Sequence, residues 1–224
     1  MKVGVLLPTF RDTPDDALRL AERAQENGLE GVFAFDHLWP IGDRERPALA
    51  PFPLLASVVG HCSAVMVGPL VARVGLVSTE KLVEQFATLD ALAPGRVIAA
   101  LGTGDELSKD EHVAYGLAYP SAEERRVLLA EAIEALSSTM EVWCGAGSTA
   151  TNEVARHYGV TLNLWGVPPT IVRDAASEGA VNWAGPLGRD ARVTLDELAS
   201  AGATWAISSE SSRIDELGEW RRGR

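Results

Sequence analysis

A carboxylate, an imidazole and an indole lie close together in the segment Phe35-Asp36-His37-Leu38-Trp39. Histidine can accept or donate a proton near neutral pH, and an indole can stack on a planar ring. The segment follows the apolar stretch Gly31 to Phe35, which predicts a strand. Asp36, His37 and Trp39 are therefore candidate site residues. The alternative is a loop in which His37 bonds to backbone and Trp39 fills an apolar gap.

A second candidate site follows the apolar run Val97 to Leu101, which predicts a strand buried on both faces. The run ends in Gly102-Thr103-Gly104, and Asp105 comes next. Those three small residues would hold Asp105 at the carboxyl end of the strand, where barrels of parallel strands carry their active sites, so we take it as a candidate site residue. The alternative is that Gly102 and Gly104 only turn a tight corner.

A third stretch, Gly145-Ala146-Gly147-Ser148, joins a predicted strand to a predicted helix. Small residues at the start of a helix leave backbone N–H groups free for an anion or a phosphate. The stretch is neither a Walker motif nor a complete G-x-G-x-x-G fingerprint. A plain tight turn is the alternative interpretation.

The other titratable residues give weaker signals. His61 and His157 fall within predicted helices and are interpreted as structural, and His112 is a weaker candidate for the pocket. The sequence contains no H-E-x-x-H, C-x-x-C or G-x-S-x-G motif, so we expect neither a metal site nor nucleophile-elbow chemistry. We interpret three acids after Asp105 as solvated side chains, namely Glu106, Asp110 and Glu111.

Strands and helices alternate along the whole chain, which is typical of a parallel sheet. The eight strand-then-helix units favour an α/β fold with a single compact (βα)8 TIM barrel over an open doubly wound sheet. We expect one domain spanning residues 1–224, with its active site at the carboxyl ends of the strands. The predicted strands are centred on Val5, Phe33, Val67, Ile98, Val142, Leu162, Val181 and Ala206.

Composition limits the kind of partner and compartment. The net charge of −11 argues against a nucleic-acid partner, and no apolar run approaches the roughly 20 residues of a membrane span. The N-terminus lacks the apolar stretch and cleavage site of a signal peptide. Cys62 and Cys144 form no disulfide or metal pattern. We therefore expect a cytoplasmic protein with a small-molecule partner and no membrane association.

The segment VGPLVARVGLVSTEKLVEQFATLDALAPGRVIAALGTGDE, from Val67 to Glu106, resembles the luciferase-like monooxygenase family. It is more closely similar to the branch that uses the deazaflavin coenzyme F-420. The resemblance extends over nearly the whole chain. Weaker matches support it, namely FAFDHLW (Phe33 to Trp39), the helix from Glu123 to Leu136, VWCGAGS (Val142 to Ser148), VNWAGPLG (Val181 to Gly188) and GATWAI (Gly202 to Ile207).

The resemblance implies a (βα)8 barrel, often a homodimer, that binds F-420 or, alternatively, FMN at the carboxyl face. It implies an oxidoreductase that transfers hydride between this cofactor and a small organic substrate, with a monooxygenase as a variant. Asp105 then matches a proton donor, and His37 lies beside the substrate. The resemblance places the cofactor against Asp36, Trp39, Pro69, Leu70, Val71, Gly102, Thr103, Gly104, Gly145, Ala146, Gly147 and Ser148.

Related barrels also carry a non-proline cis peptide bond at the end of the third strand. Alignment on the segment Gln85 to Leu89 places this bond at Pro69–Leu70, with Val71–Ala72 as the neighbouring alternative. The resemblance therefore implies a backbone bulge beneath the cofactor ring.

Two departures from the family pattern support a second hypothesis. The usual insertion before the fifth strand has no room between Leu136 and Val142. The basic and proline residues usual after the third strand are replaced by the segment Val74 to Ser78. The alternative function is therefore a cofactor-poor barrel that acts as a binding or storage protein, or as the inactive partner of a paralogue.

Overall fold

The computed structural model describes residues 1–40 and 42–224, and the side chain of Leu107 also lies outside the described part. The predicted loop from Asp36 to Pro51 includes position 41, which lies outside the described residues. Within the described part, every helix falls short of the length and apolarity that a bilayer crossing requires.

The described residues form nine β-strands and nine α-helices in near-strict alternation. The strands are β1 (Lys2–Leu6), β2 (Gly31–Ala34), β3 (Met66–Pro69), β4 (Ala72–Arg73), β5 (Ile98–Gly102), β6 (Glu141–Gly145), β7 (Thr161–Trp165), β8 (Val181–Gly185) and β9 (Trp205–Ser208). The helices are α1 (Asp15–Glu26), α2 (Pro51–His61), α3 (Thr79–Leu92), α4 (Lys109–Ala114), α5 (Ala122–Leu136), α6 (Thr149–Tyr158), α7 (Pro169–Ala176), α8 (Ala191–Ser200) and α9 (Ile214–Arg222).

All strand pairs are parallel, in the order β3-β2-β1-β9-β8-β7-β6-β5-β4. A bridge between Val67 and Val97 joins the β3 end of this order to the segment that leads into β5, and so closes the barrel. The predicted (βα)8 barrel is confirmed. The missing insertion is confirmed as well, because only residues 137–140 separate α5 from β6.

The third barrel strand is interrupted, which raises the strand count from the predicted eight to nine. β3 ends at Pro69, β4 begins at Ala72, and the peptide bond between Leu70 and Val71 is cis. A non-proline cis bond at this strand end is confirmed. Both predicted positions were wrong by one residue, because an alignment on α3 does not fix the register of the backbone across the break.

Aromatic side chains fill the barrel interior. Phe33, Trp143 and Trp205 are almost fully buried, and their ring centroids lie 5.3 to 5.8 Å apart. Trp143 and Trp205 are far larger than the branched aliphatic residues usual in such interiors. The inner cluster contains strand and bulge residues alone, namely Leu6, Phe33, Leu70, Ile98, Ala100, Trp143, Ala184, Trp205 and Ile207.

Three strand glycines allow close packing in the barrel interior, and two of them lie beside these rings. A Cβ on Gly4 would lie 2.8 Å from the carbonyl oxygen of Gly31, and one on Gly31 would lie 3.0 Å from the Trp205 ring. A Cβ on Gly68 would lie 2.4 Å from the carbonyl oxygen of Ile98. Close packing leaves little free volume in an interior, so the glycines and the large rings depend on each other.

Four of the described helices, α3, α5, α6 and α8, begin at side-chain caps. Ser78 accepts a bond from the Lys81 N–H at the start of α3, and Ser121 forms a capping box with Glu124 at the start of α5. At the start of α1, by contrast, Pro14 occupies the cap position without a side-chain bond. Pro fixes a backbone φ that suits the start of a helix, which explains the difference.

The predicted loop from Gly102 to Tyr119 is partly helical. It contains a 3₁₀ turn at Glu106–Ser108 followed by the short helix α4. The apolar periodicity of α4 is weak because its inward face carries Glu111 and His112, both buried. This short helix brings polar side chains to the carboxyl end of the barrel.

Gly68→Ala should destabilise the fold by about 1–3 kcal/mol or more, because its methyl group would overlap backbone atoms of β5. Urea unfolding measures this change. Gly60→Ala is the matched control: Gly60 lies in α2 with nothing within 4 Å of an added Cβ, so the variant should gain about 0.5–1 kcal/mol. Equal stabilities for the two variants would contradict the packing argument.

Candidate active site

A cavity of about 470 Å³ opens at the carboxyl ends of the strands. That volume lies in the usual range for small-molecule sites, and the position is the one where barrel enzymes place their chemistry. Its lining residues are Phe10, Phe35, His37, Leu70, Val71, Arg73, Gly102, Thr103, Gly104, Asp105, Ser108, Gly145, Ala146, Gly147, Asn163 and Trp165.

Three aromatic side chains form one side of the cavity. Phe10 and Phe35 stack with ring centroids 5.8 Å apart and an interplanar angle of 16°. Phe35 and Trp165 lie 5.7 Å apart. Trp165 is the last residue of β7, whereas Phe10 and Phe35 follow β1 and β2, so these contacts reach across the barrel mouth. The aromatic side can exclude water from a bound molecule.

A second side of the cavity is built from Val71, Gly102 and Gly145. A Cβ on Gly102 would lie 2.4 Å from Cγ2 of Val71, and one on Gly145 would lie 3.3 Å from both Val71 methyl groups. The two glycines therefore make room for the Val71 side chain, which packs against β5 and β6 at this wall. Val71, Gly102 and Gly145 give the wall no polar side chain.

The polar centre of the site is the carboxylate of Glu111, which is 2% exposed. Its Oε1 lies 2.8 Å from Nδ1 of His37. Its Oε2 accepts bonds from the backbone N–H of Leu38 at 2.7 Å and from Nη2 of Arg73 at 2.7 Å. One acid from α4 thus joins the segment after β2 to the end of β4.

Electrostatics keep Glu111 ionised. Desolvation is the largest effect and raises its pKa, but hydrogen bonds from His37 and Leu38 and the charge of Arg73 together hold the pKa below its usual range. Opposing effects of this kind are typical of buried ion pairs. Glu111 is therefore a charged acceptor at neutral pH.

Asp36 lies beside this network. Its Oδ2 accepts a 2.9 Å bond from the backbone N–H of Arg73. Desolvation raises the pKa of the Asp36 carboxyl, against the opposing charge of Arg73. Asp36 is not among the cavity-lining residues and acts here on the backbone of β4.

Arg73 is 4% exposed and is only partly satisfied. Among the described residues, its Nε and Nη1 atoms have no hydrogen-bond partner. Buried donors without a partner are costly, so such donors at a cavity wall indicate a place for a polar ligand atom or a bound water.

Asp105 lines the cavity but is exposed. Its Oδ1 accepts a 3.2 Å bond from the Ser108 N–H and caps the 3₁₀ turn, and its carbonyl oxygen accepts a bond from the Tyr119 hydroxyl. The structure thus gives this side chain a local structural task, and its role as a proton donor stays a prediction.

The stretch from Gly145 to Ser148 places three residues at the cavity, with Ser148 just outside it. The N–H of Ala146 bonds to the Asn163 carbonyl, the N–H of Gly147 bonds to the Asn152 side chain, and Ser148 caps α6. Two of the N–H groups expected to hold a phosphate are therefore already engaged within the protein.

The remaining predicted residues divide between the cavity and its surroundings. Ten of the predicted site residues line the cavity. They lie in the bulge after β3 or at and just after the carboxyl ends of β2, β5 and β6. Trp39 lies outside it, with the guanidinium carbon of Arg44 at 5.5 Å from its ring. Four predicted residues do not line the cavity, namely Asp36, Trp39, Pro69 and Ser148.

Sequence reasoning missed several residues of the site. Glu111 was interpreted as solvated, which was wrong, because it is buried against Arg73 and His37. His112 is fully buried behind the site and does not line it. Trp165 and Asn163 could have been predicted, because they lie at the carboxyl end of a predicted strand.

Among the described residues, no group of three or more acids, histidines or cysteines could hold a metal ion.

Arg73→Met should destabilise the protein by about 3 kcal/mol, because it leaves the buried Glu111 carboxylate without its cation. Arg44→Met is the matched control. Arg44 pairs with Asp110, which lies on α4 together with Glu111, but both side chains of this pair are about 60% exposed. The loss of the Arg44 charge should therefore lower the free energy of unfolding by about 1 kcal/mol or less. Chemical unfolding of the two variants tests the difference, and similar losses would contradict a buried ion pair.

The stability of the fold should depend on Glu111 in acid. Because its folded-state pKa lies below the ordinary value of 4.5, its contribution is complete above that value and is lost as the pH falls through the folded-state pKa. The stability gap between wild type and Glu111→Gln should therefore shrink between about pH 6 and about pH 3. Unfolding curves measure it, with Asp110→Asn as the exposed control on α4. A gap that does not vary with pH would refute this role.

Comparison with known proteins gives the family. The model of the luciferase-like monooxygenases matches residues 1–188. An F-420-dependent glucose-6-phosphate dehydrogenase of Nakamurella multipartita is 33% identical over 150 residues, which are 66% of this chain and 42% of the relative. An F-420-dependent hydroxymycolic acid dehydrogenase of Mycobacterium tuberculosis is 29% identical over 188 residues, which are 83% of this chain and 51% of the relative.

Among solved structures, an F-420-dependent secondary alcohol dehydrogenase superimposes with a TM-score of 0.80 at 14% identity, over 97% of each chain. Likeness at that identity shows the fold alone. The chain spans about half the length of the curated relatives it matches. The family match itself covers most of the sequence, from the first strand to the loop after β8. The chain therefore belongs to the luciferase-like monooxygenase family.

Proposed function

We propose that this protein is an oxidoreductase that transfers hydride between the deazaflavin coenzyme F-420 and a small organic substrate, with FMN as the alternative cofactor. The observation that carries the proposal is the cavity at the barrel mouth, which is lined by aromatic residues and glycines and by His37, whose Nδ1 is bonded to the buried Glu111. The names of the matched relatives support F-420 and an alcohol group as the oxidised position.

The residues present fit a deazaflavin. Its ring system is flat, and Val71, Gly102 and Gly145 form a cavity wall without polar side chains. The two unpartnered guanidinium nitrogens of Arg73 are buried donors at the same wall. The start of α6 remains the candidate for an anionic group of the cofactor.

The cofactor supplies the hydride chemistry when it is bound. In the direction of alcohol oxidation, Nε2 of His37 accepts the hydroxyl proton as the substrate carbon loses hydride, and a C=O bond forms. The reverse direction returns that proton to the oxygen. The aromatic side excludes water, and Asp105 is the proposed second proton-handling group at the exposed edge.

Four further properties are part of the proposal, namely domain organisation, location, oligomeric state and kind of partner. We propose that residues 1–224 form one domain and that the protein acts in the cytoplasm. We also propose a homodimer, on the family resemblance. The substrate is a small molecule, and neither a nucleic acid nor a membrane is a partner.

Titration of the purified protein with F-420 and, separately, with FMN tests the proposal by absorbance or fluorescence. Saturable binding of F-420 is expected. Gly145→Val should weaken it by about tenfold or more, because the larger side chain would press on Val71 and reshape the cavity wall that both residues line. Gly60→Ala, in α2, is the control and should bind like wild type.

The other outcomes are equally informative. Binding of FMN alone would transfer the assignment to that cofactor. Binding of neither would reject the oxidoreductase and favour the cofactor-poor binding or storage protein.

A further inference from the structure

We propose that Glu111 is a positioning residue that fixes His37 in the tautomer with its proton on Nδ1, so that Nε2 faces the cavity as a proton acceptor. The tautomer itself depends on this chain's own hydrogen bonds. Its use in proton transfer rests on the proposed function.

The first step of the argument is the assignment of each acceptor site on Glu111. Oε2 already accepts from the backbone N–H of Leu38 and from Nη2 of Arg73. Both are obligatory donors, so they fix that end of the carboxylate. Oε1 is left for Nδ1 of His37, at 2.8 Å.

The second step is the direction of the bond between Glu111 and His37. An ionised carboxylate accepts hydrogen bonds and cannot donate one. Glu111 is held in its ionised form by its three donors. Nδ1 of His37 must therefore carry a proton, and in the neutral ring Nε2 then carries a lone pair.

The third step is the freedom of the other ring nitrogen. His37 lines the cavity and its side chain is 26% exposed. Among the described residues, Nε2 has no hydrogen-bond partner, and the ring is 6.3 Å from that of Phe35. A basic nitrogen therefore faces the space where a substrate oxygen would lie.

The fourth step is the effect of an amide at this position. In Glu111→Gln, the amide oxygen satisfies Leu38 and Arg73 best when it takes the place of Oε2, because both groups only donate. The NH₂ group then takes the place of Oε1 and donates to Nδ1 of His37. The ring proton moves to Nε2, and the nitrogen facing the cavity loses its acceptor capacity.

The decisive experiment is long-range ¹H–¹⁵N NMR of the histidine rings, without cofactor, at a pH where the rings are neutral. The chain has four histidines, and His37→Gln identifies the signals of His37 by their loss. In wild type we expect a protonated Nδ1 and an unprotonated Nε2. A protonated Nε2 in wild type would overturn the proposal, and this measurement needs no variant at position 111.

The variants extend the test. Glu111→Gln should exchange the two nitrogen signals of His37, whereas Asp110→Asn, which removes an exposed acid from the same helix, should leave them unchanged. Retention of the wild-type tautomer in a folded Glu111→Gln protein would overturn the proposal.

Kinetic measurements test whether the position of the ring proton matters for the proposed reaction. With F-420 and a secondary alcohol, Glu111→Gln should lower kcat by about 10²–10⁴-fold with a smaller change in KM, as expected when a base has the wrong tautomer. Asp110→Asn should keep the wild-type rate. An unchanged kcat in the Gln variant would overturn the positioning role. Wild type that neither binds F-420 nor turns over would reject the proposed function alone, because the tautomer is measured without cofactor.

Discussion

A single buried negative charge holds the polar part of the site together. The Glu111 carboxylate bonds to three donors from two segments, Leu38 and His37 after β2 and Arg73 at the end of β4. Burying a carboxylate is costly unless it is paired and fully hydrogen-bonded, so these partners can hardly change separately. The position of His37 at the cavity follows from this constraint, as does the burial of Arg73.

Glycines at strand positions compensate for the volume of larger side chains beside them. Gly4 and Gly31 make room for the large rings of the barrel interior, and Gly68 allows close approach to the backbone of Ile98. Gly102 and Gly145 make room for Val71 at the cavity wall. The same residue type therefore admits aromatic rings in the interior and an aliphatic side chain at the cavity. Both effects come from a missing Cβ at a strand position.

The sequence predicted the features that depend on local pattern. Strand-helix alternation indicated the barrel, and the turns after its strands indicated where His37, Gly102 and Gly145 would gather. Features that depend on distant partners were not predicted. The burial of Glu111 requires Arg73 and His37, which are 38 and 74 positions away. Its neighbours in the chain are polar or charged, so the local sequence indicated an exposed segment. The break between β3 and β4 likewise has no local signature in its apolar residues.

The helix that carries Glu111, α4, is a short insertion between strand β5 and the outer helix α5. Loops at this end of such barrels often change independently of the scaffold, which is how one fold acquires many activities. Here the Glu111 side chain bonds this loop to two other segments. A graft of residues 103–119 onto another barrel would carry an acid without its cation, so exchange by recombination must take three segments at once. Among relatives, positions 37, 73 and 111 should accordingly change in concert or not at all.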